Sequence, residues 1–244
     1  NANVRIVGMR ASDMNHFSTL GQLPLAFKRN TVEVRASDES GNMATIFSGT
    51  IIDAYADLMA APDNSFNITG MGGLFEAMMH ADASTFPGSV DAAEVLQQLA
   101  GQAGLNFVNN GVSVQLSKPY YSGAIRTQIQ ECIEDAGISG IIDDGTLTIW
   151  PGNGARAGSV PLISPETGMV GYPTYTGTGI VVNTMFNPNV LSGAEVEVKS
   201  SLPQACGHWN VVTLVHDLES EVPNGKWFTQ MQLAAPGLVV IPSK

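Results

Sequence analysis

Through the first seventy positions, apolar and polar residues alternate in short runs. Residues 4–9, 23–28, 31–36, 44–53 and 65–70 carry the β-branched and apolar side chains of strands, and Asp38-Glu39-Ser40-Gly41-Asn42 supplies turn formers between two of them. One short stretch changes period. Met14, Phe17 and Leu20 fall at helical spacing, with Ser12 placed to cap the first turn and Asp13 favourable at its positive end.

The middle of the chain holds a repeat of helix, Ala-Gly stop, strand, glycine turn and strand. In the first copy a helix over 90–103 puts Ala92, Val95, Leu96 and Leu99 on one face and stops at Gly104. Strands over 105–108 and 112–116 flank Asn109-Asn110-Gly111. In the second copy a helix over 124–136 turns Ile125, Ile129, Cys132 and Ile133 inward and stops at Gly137, before strands over 140–142 and 146–150 around Asp143-Asp144-Gly145. Asn-Gly and Asp-Gly supply the positive φ of a tight two-residue hairpin, and glycine after a helix supplies its left-handed cap. The pattern predicts two helices, each packed on a hairpin.

Pro151-Gly152-Asn153-Gly154 breaks the repeat and, with residues 155–159, reads as a linker or exposed loop. Strand patterns return over 160–163, 180–185, 194–199, 210–218 and 226–233, with turns at Asn187-Pro188-Asn189, Leu191-Ser192-Gly193 and Pro223-Asn224-Gly225. The last two form a hairpin with a wide loop. The tail, 234–244, surrounds the apolar Leu238-Val239-Val240-Ile241 with Pro236, Gly237 and Pro242, which suggests docking onto a neighbour. The class is α+β, mainly β.

Composition narrows the function. Twenty-two acidic against 11 basic side chains give a net charge of −11, which argues against electrostatic nucleic-acid binding. Charged residues are 14% of the chain, against about 25% in an ordinary soluble domain, so much surface is expected to be hidden. At this length a core can bury about 70–75% of the unfolded surface without disulfide help. Cys132 and Cys206 are too few and too distant for a staple framework or a zinc spacing, which predicts reduced thiols and cytoplasmic folding. No apolar run approaches the ~20 residues of a membrane span, and Asn1-Ala2-Asn3-Val4-Arg5 lacks the apolar region of a signal peptide. The absent initiator Met leaves room for upstream residues.

Candidate chemistry is sparse. His16, His80, His208 and His216 are scattered, without a His-Glu-x-x-His pair or a cysteine at ligand spacing. Cys206-Gly207-His208 puts a thiol and an imidazole on one strand face, a possible nucleophile and base, although such pairs usually come from distant segments and a strand start beside Trp209 is the plainer reading. Asp143-Asp144 reads as a hairpin turn before a cation site. Glu131, Glu134 and Asp135 read as a solvated helix face. Asp217, Glu219 and Glu221 project to one side of a strand end, as an acidic strip or a solvated edge. Gly70-Met71-Gly72-Gly73 and Gly177-Thr178-Gly179 lack the Lys-Ser/Thr ending of a phosphate loop and the context of a dinucleotide fingerprint. Trp150, Trp209 and Trp227 lie in or beside strands without the basic neighbours of a base-stacking platform. No catalytic, cofactor-binding or metal-ligating residue is assigned.

Two stretches carry a resemblance. Leu162-Ile163-Ser164-Pro165-Glu166-Thr167-Gly168-Met169-Val170-Gly171-Tyr172-Pro173-Thr174-Tyr175-Thr176-Gly177-Thr178-Gly179-Ile180 with Met185-Phe186-Asn187-Pro188, and Gly207-His208-Trp209-Asn210-Val211-Val212-Thr213-Leu214-Val215-His216-Asp217-Leu218-Glu219-Ser220 with Trp227-Phe228-Thr229, resemble the C-terminal half of phage tail baseplate hub proteins, the late control D-like hubs of contractile-tailed phages. Phe47-Ser48-Gly49-Thr50-Ile51 and Ala61-Pro62-Asp63 fit as well. The resemblance covers residues 10–235, most specifically 160–230.

It implies a structural virion protein of the tail baseplate, with no cofactor and no catalytic residues. It further implies a homotrimer, each chain giving two tube-like β-barrel domains, so that three chains imitate a six-fold ring with the spike held beneath. Residues 1–70 would form the first barrel and 158–235 the second, 71–157 an inserted domain of two helix-hairpin repeats, and 236–244 a tail. Family hubs carry more residues before the point matching Asn1, so strands of the first barrel are expected upstream. The implied partners are the tail spike, the tail tube or distal tube protein, the tape measure protein and other baseplate proteins. DNA would pass through the lumen without being bound specifically, and this chain would insert into no membrane. Two rivals remain at this point: a ring-forming module of a secretion or envelope system, and a cysteine hydrolase using Cys206 and His208.

Overall fold

The computed structural model describes residues 1–18, 30–38, 41–59, 62–73 and 81–237. These form a mainly β structure with three helices and two curled half-barrel sheets. The first sheet contains β1 (Ala2–Val7), β2 (Thr31–Ser37), β3 (Met43–Asp57) and β4 (Ser65–Met71), antiparallel in the order β1-β4-β3-β2. Helix α1 (Ala11–Phe17) lays Met14 on the face made by Ala54 and Phe66. Register shifts in β3 opposite both neighbours mark bulges, which bend and twist a strand and so curl this sheet. Phe47 packs against Gly70, which has no side chain to displace it. A Cβ there would stand 2.9 Å from both the Phe47 ring and Val32 Cγ1.

The strands expected over 4–9, 31–36, 44–53 and 65–70 are all present with shifted ends, while 23–28 and Leu20 lie outside the described residues. Ser12 is not the cap. The helix starts at Ala11, so Ser12 sits inside the first turn, its hydroxyl on Asp13 at 3.4 Å, and the capping position belongs to Arg10, which makes no side-chain cap.

The middle of the chain runs β5 (Ser84–Thr85), β6 (Ser89–Asp91), α2 (Ala92–Ala103), β7 (Asn106–Asn109), β8 (Gln115–Ser117), β9 (Tyr120–Tyr121), α3 (Ile125–Ala136), β10 (Ile138–Asp143) and β11 (Thr146–Pro151). Both helices end at left-handed glycines, Gly104 (φ 71°) and Gly137 (φ 61°), and bury the predicted faces. Val90 and Asp91 belong to β6 rather than to α2. The Asp91 carboxylate caps that helix by accepting from Ala93 N–H at 2.8 Å.

Only the second hairpin of the repeat exists. Asp144 (φ 44°) and Gly145 (φ 67°) both take the positive φ of a type I′ turn, and β10 pairs antiparallel with β11. In the first copy Gly111 alone is positive (φ 88°), and the Asn109 side chain brackets Val112, accepting its N–H at 2.7 Å and donating to its carbonyl at 3.0 Å. The chain therefore leaves β7 without reversing onto it. β7 instead runs parallel to β11, and β8 pairs with β6. The core of this region includes Leu96, Leu99, Tyr121, Ile125, Leu147 and Ile149. Buried Gln128 is satisfied by Ser84, which donates to its Oε1 at 2.8 Å, and by the carbonyls of Asp82 and Gly123, each 3.0 Å from its Nε2.

The second sheet contains β12 (Leu162–Ile163), β13 (Met169–Tyr175), β14 (Gly179–Met185), β15 (Glu195–Val198), β16 (Gly207–Leu218) and β17 (Trp227–Ala234), in the order β12-β15-β16-β17-β14-β13. All neighbours are antiparallel except β12 and β15. Ile180, Val182, Val196, Val211, Met231 and Leu233 fill its inner face. β16 and β17 are the predicted hairpin. Strand β13 has no counterpart among the expected strands, because Gly171 and Pro173 interrupt its alternation; an edge position tolerates both.

The expected loop after β11 is only partly one. Residues 157–160 are exposed, but Gly154 N–H turns back to the Pro151 carbonyl at 2.8 Å, and Arg156 N–H donates to the Gly193 carbonyl at 2.6 Å, forming a bridge with Ala194. Asn210 Nδ2 donates to the Gly154 carbonyl at 3.3 Å. The Trp150 ring fills the space that a side chain at Gly193 would need, with a Cβ there 2.7 Å from Trp150 Cη2. These contacts fasten the α/β region to the second sheet.

Candidate assembly surfaces

The residues singled out as possible chemistry are dispersed. The Cys206 thiol donates to the Ser200 carbonyl at 3.2 Å, while His208 Nδ1 pairs with Glu195 at 2.6 Å, so each has its own partner. Cys132 is buried in the α/β core and burial pushes its thiol up to about 11, which keeps it protonated and inert at neutral pH. Both cysteines are free. His16 packs edge-on against Phe17, and His80 lies outside the described residues.

The carboxylates also separate. Asp143 and Asp144 close the hairpin turn, and Asp143 lies 3.6 Å from the Arg156 guanidinium. Glu134 accepts from Gln130 and Asp135 from the Tyr121 hydroxyl, on helix α3 with Glu131. Asp217 holds Lys226 at 2.9 Å, which raises the affinity of that amine for its proton, and Glu219 accepts Lys226 N–H. Glu221 takes a left-handed turn conformation (φ 59°). Among the described residues, no group of three or more His, Cys, Asp or Glu side chains is arranged to hold a metal ion, and no helix is long and apolar enough to cross a membrane.

The glycine runs and tryptophans have structural settings. Gly70 lies under Phe47, and Gly177-Thr178-Gly179 turns β13 into β14, with Gly179 N–H on Thr176 Oγ1 at 3.1 Å. Trp209 Nε1 donates to the Ala205 carbonyl at 3.0 Å, and Trp227 Nε1 reaches the Ser37 carbonyl of β2 at 3.4 Å, joining the two sheets. Gly193, Arg156 and Ser37, which make the joints between regions, carry no sequence signal beyond turn composition.

What the fold does present is surface for association. Among the described residues, β1 and β2 form the outer edges of the first sheet and β12 and β13 those of the second, each with a strand neighbour on one side only. Large apolar side chains stand exposed on both sheets and their flanks. They are Val7 of β1, Phe17 of α1, Tyr55 of β3 with Leu58 and Met59 just after it, the last 98% exposed, and Val170, Tyr172 and Tyr175 of β13. Open strand edges with exposed apolar neighbours are a liability in a lone protein and an asset in an assembling one.

A family model described as "Baseplate hub gp41" matches residues 9–229. The chain belongs to that family. The hub protein is therefore a structural component of the phage tail baseplate and of the virion, and not an enzyme. No curated protein sequence matches it. Its fold resembles the crystal structure of a tail protein from Neisseria meningitidis MC58, with a TM-score of 0.61 at 10% identity, covering 86% of this chain and 88% of that one. It also resembles the 43 kDa tail protein of prophage MuSo2 from Shewanella oneidensis, with a TM-score of 0.56 at 7% identity over 80% and 79% of the two chains. At such low identity the likeness concerns the fold. Membership in a baseplate family means that the hub works in assembly with other tail proteins.

Proposed function

We propose that the hub is a homotrimer that joins the tail tube to the central spike and frames part of the channel through which DNA leaves. The observation that carries this reading is the pairing, within one chain, of two curled half-barrel sheets with open edges. Three chains supply six such sheets, which matches a six-fold tube above to a three-fold spike below. In this reading residues 1–70 and 158–235 are the two tube-like domains, 71–157 is the inserted domain, and 236–244 is a tail, of which 238–244, with the apolar run expected to dock, lie outside the described residues. The tail tube or distal tube protein, the tape measure protein and other baseplate proteins are its further partners.

The acidic composition suits the channel. A net charge of −11 per chain offers DNA no electrostatic hold, and carboxylates facing a lumen repel phosphates over roughly a Debye length, ~8–10 Å. Family membership weighs against the secretion-module and hydrolase alternatives.

Light scattering on the purified protein, alone and mixed with the spike protein of the same phage, tests the reading. A trimer, formed alone or only with the spike, is the expected result. A monomer that ignores the spike overturns it.

A further inference from the structure

Where β17 begins, three rings on the second sheet form a chain that leads to the seam between the sheets. His216 of β16 lies edge-on to Phe186, centroids 5.2 Å apart and planes at 71°. Phe186 lies edge-on to Trp227, at 6.0 Å and 71°. The indole N–H of Trp227 then donates to the Ser37 carbonyl at the end of β2. The second sheet thus reaches the first through an aromatic stack whose far end is a titratable ring.

Hydrogen bonding dictates the state of that ring. His216 Nδ1 is 2.9 Å from Thr229 Oγ1, and the same oxygen accepts Asn187 N–H at 3.2 Å. Thr229 is fully buried, so its hydroxyl hydrogen requires an acceptor, and the one it meets is Nδ1. Neutral imidazole carrying its proton on Nε2 satisfies all three groups. Imidazolium makes Nδ1 a donor, obliges Thr229 Oγ1 to accept twice, and strands the hydroxyl hydrogen.

The charges around the ring are engaged elsewhere. Asp217, next on β16, projects to the opposite side of the strand and holds Lys226 of β17, and Glu219 accepts the Lys226 N–H. Thr184 of β14 and the segment Phe186-Asn187-Pro188-Asn189 bring no ionisable group. On the first sheet, the residue after Ser37 is Asp38, whose carboxylate accepts from Asn42 within its own turn. Burial lowers the proton affinity of His216 below its ordinary value.

We propose that His216 is an acid-sensitive latch on the seam between the two sheets. A proton from solvent taken up at Nδ1 displaces the Thr229 hydrogen, breaks the Thr229–Asn187 network, parts Phe186 from Trp227 and frees Trp227 from Ser37. The direction follows from linkage. The folded chain holds this proton less tightly than the unfolded chain, so the seam is at full strength above the ordinary value of 6.5 and weakens as pH falls through the lowered one.

Hydrogen–deuterium exchange of the full chain, corrected for intrinsic rates, tests this at pH values on either side of that transition. In the native protein the amides of β2 and the start of β17 should exchange up to about tenfold faster for each pH unit between 6.5 and the lowered value, and no faster below it, the change that proton linkage supplies. His216→Asn places an amide oxygen near the Nδ1 position and does not titrate, so its exchange should be independent of pH across the same range. Unchanged exchange in the native protein, or an equal response in both proteins, overturns the proposal. Should the variant lose native exchange protection at neutral pH, an NMR titration of His216 in the native protein decides. A midpoint below 6.5 that coincides with faster exchange supports the latch, and a midpoint at or above 6.5, or one without faster exchange, overturns it.

Discussion

The six-stranded sheet buries Ile180, Val182, Val196, Val198, Met231 and Leu233 on one face, whereas the buried cluster of the four-stranded sheet, among the described residues, is Met14, Ala54 and Phe66. Both sheets are curled, but the hydrophobic stabilisation within one chain is unequal, at about 1.5–3 kcal/mol for each large side chain fully buried. The difference lies in what covers the inner face. Loop residues such as Val190 and Ala205 close over the second sheet, while short α1 contributes one buried side chain to the first. The second sheet is also anchored to the α/β core through Trp150, Arg156 and Gly193. Among the described residues, the four-stranded sheet thus has much less of a core of its own than the six-stranded one.

Core truncation gives the largest expected effect on this comparison. Met231→Ala should cost about 3–4 kcal/mol in urea unfolding of the isolated chain, and Phe66→Ala less than about 3, although phenylalanine is the larger side chain. Equal or reversed losses would break the asymmetry. Next in size, Gly193→Ala puts a methyl against Trp150 at a left-handed φ of +79°, and should cost about 1–3 kcal/mol, read as a lowered melting temperature. Adding Trp150→Ala should relieve the steric part but not restore full stability, since the Trp150 packing is then lost. If the single change leaves the melting temperature untouched, the joint is not the anchor described.

Asp91→Ala removes the α2 cap and should cost about 1 kcal/mol, with faster amide exchange confined to the first turn of that helix and none in the four-stranded sheet. Spread of the effect into β1–β4 would mean that the regions share stability more evenly than their cores imply. The smallest effect is on rate alone. At mildly alkaline pH a thiol reagent should modify exposed Cys206 first and buried Cys132 only as the α/β core opens. Parallel labelling of both would show that core to open as readily as the exposed surface around Cys206.

Much of this architecture was legible in the pattern of residues, and the exceptions have physical causes. Helices α2 and α3 were plain because apolar spacing and a following glycine agree. The hairpin at Asp143–Thr146 was plain because Asp-Gly fits a type I′ turn. Asn110-Gly111 carries the same signal, but a parallel neighbour, β11, took β7, and a local dipeptide does not encode a partner about forty residues away. β13 was hidden by Gly171 and Pro173, which an edge strand tolerates and a propensity argument reads as a break. The association surfaces were accessible only through family resemblance, because exposed Met59 or Tyr172 looks like any surface residue until the sheet edges are known. The joints at Gly193, Ser37 and His216 are set by tertiary geometry alone.

The position of β17 in its sheet bears on how the protein is made. It is the last described strand in sequence, yet it lies between β14 and β16, and its Trp227 reaches back 190 residues to Ser37. During synthesis the helical middle region can fold as it emerges, but β14 and β16 wait with open edges until β17 has left the ribosome. Chains cut short before Trp227 would carry a folded middle and an unfinished wall. Such fragments lack the strand that joins β14 to β16, so the six-stranded sheet is completed only when the chain is nearly finished.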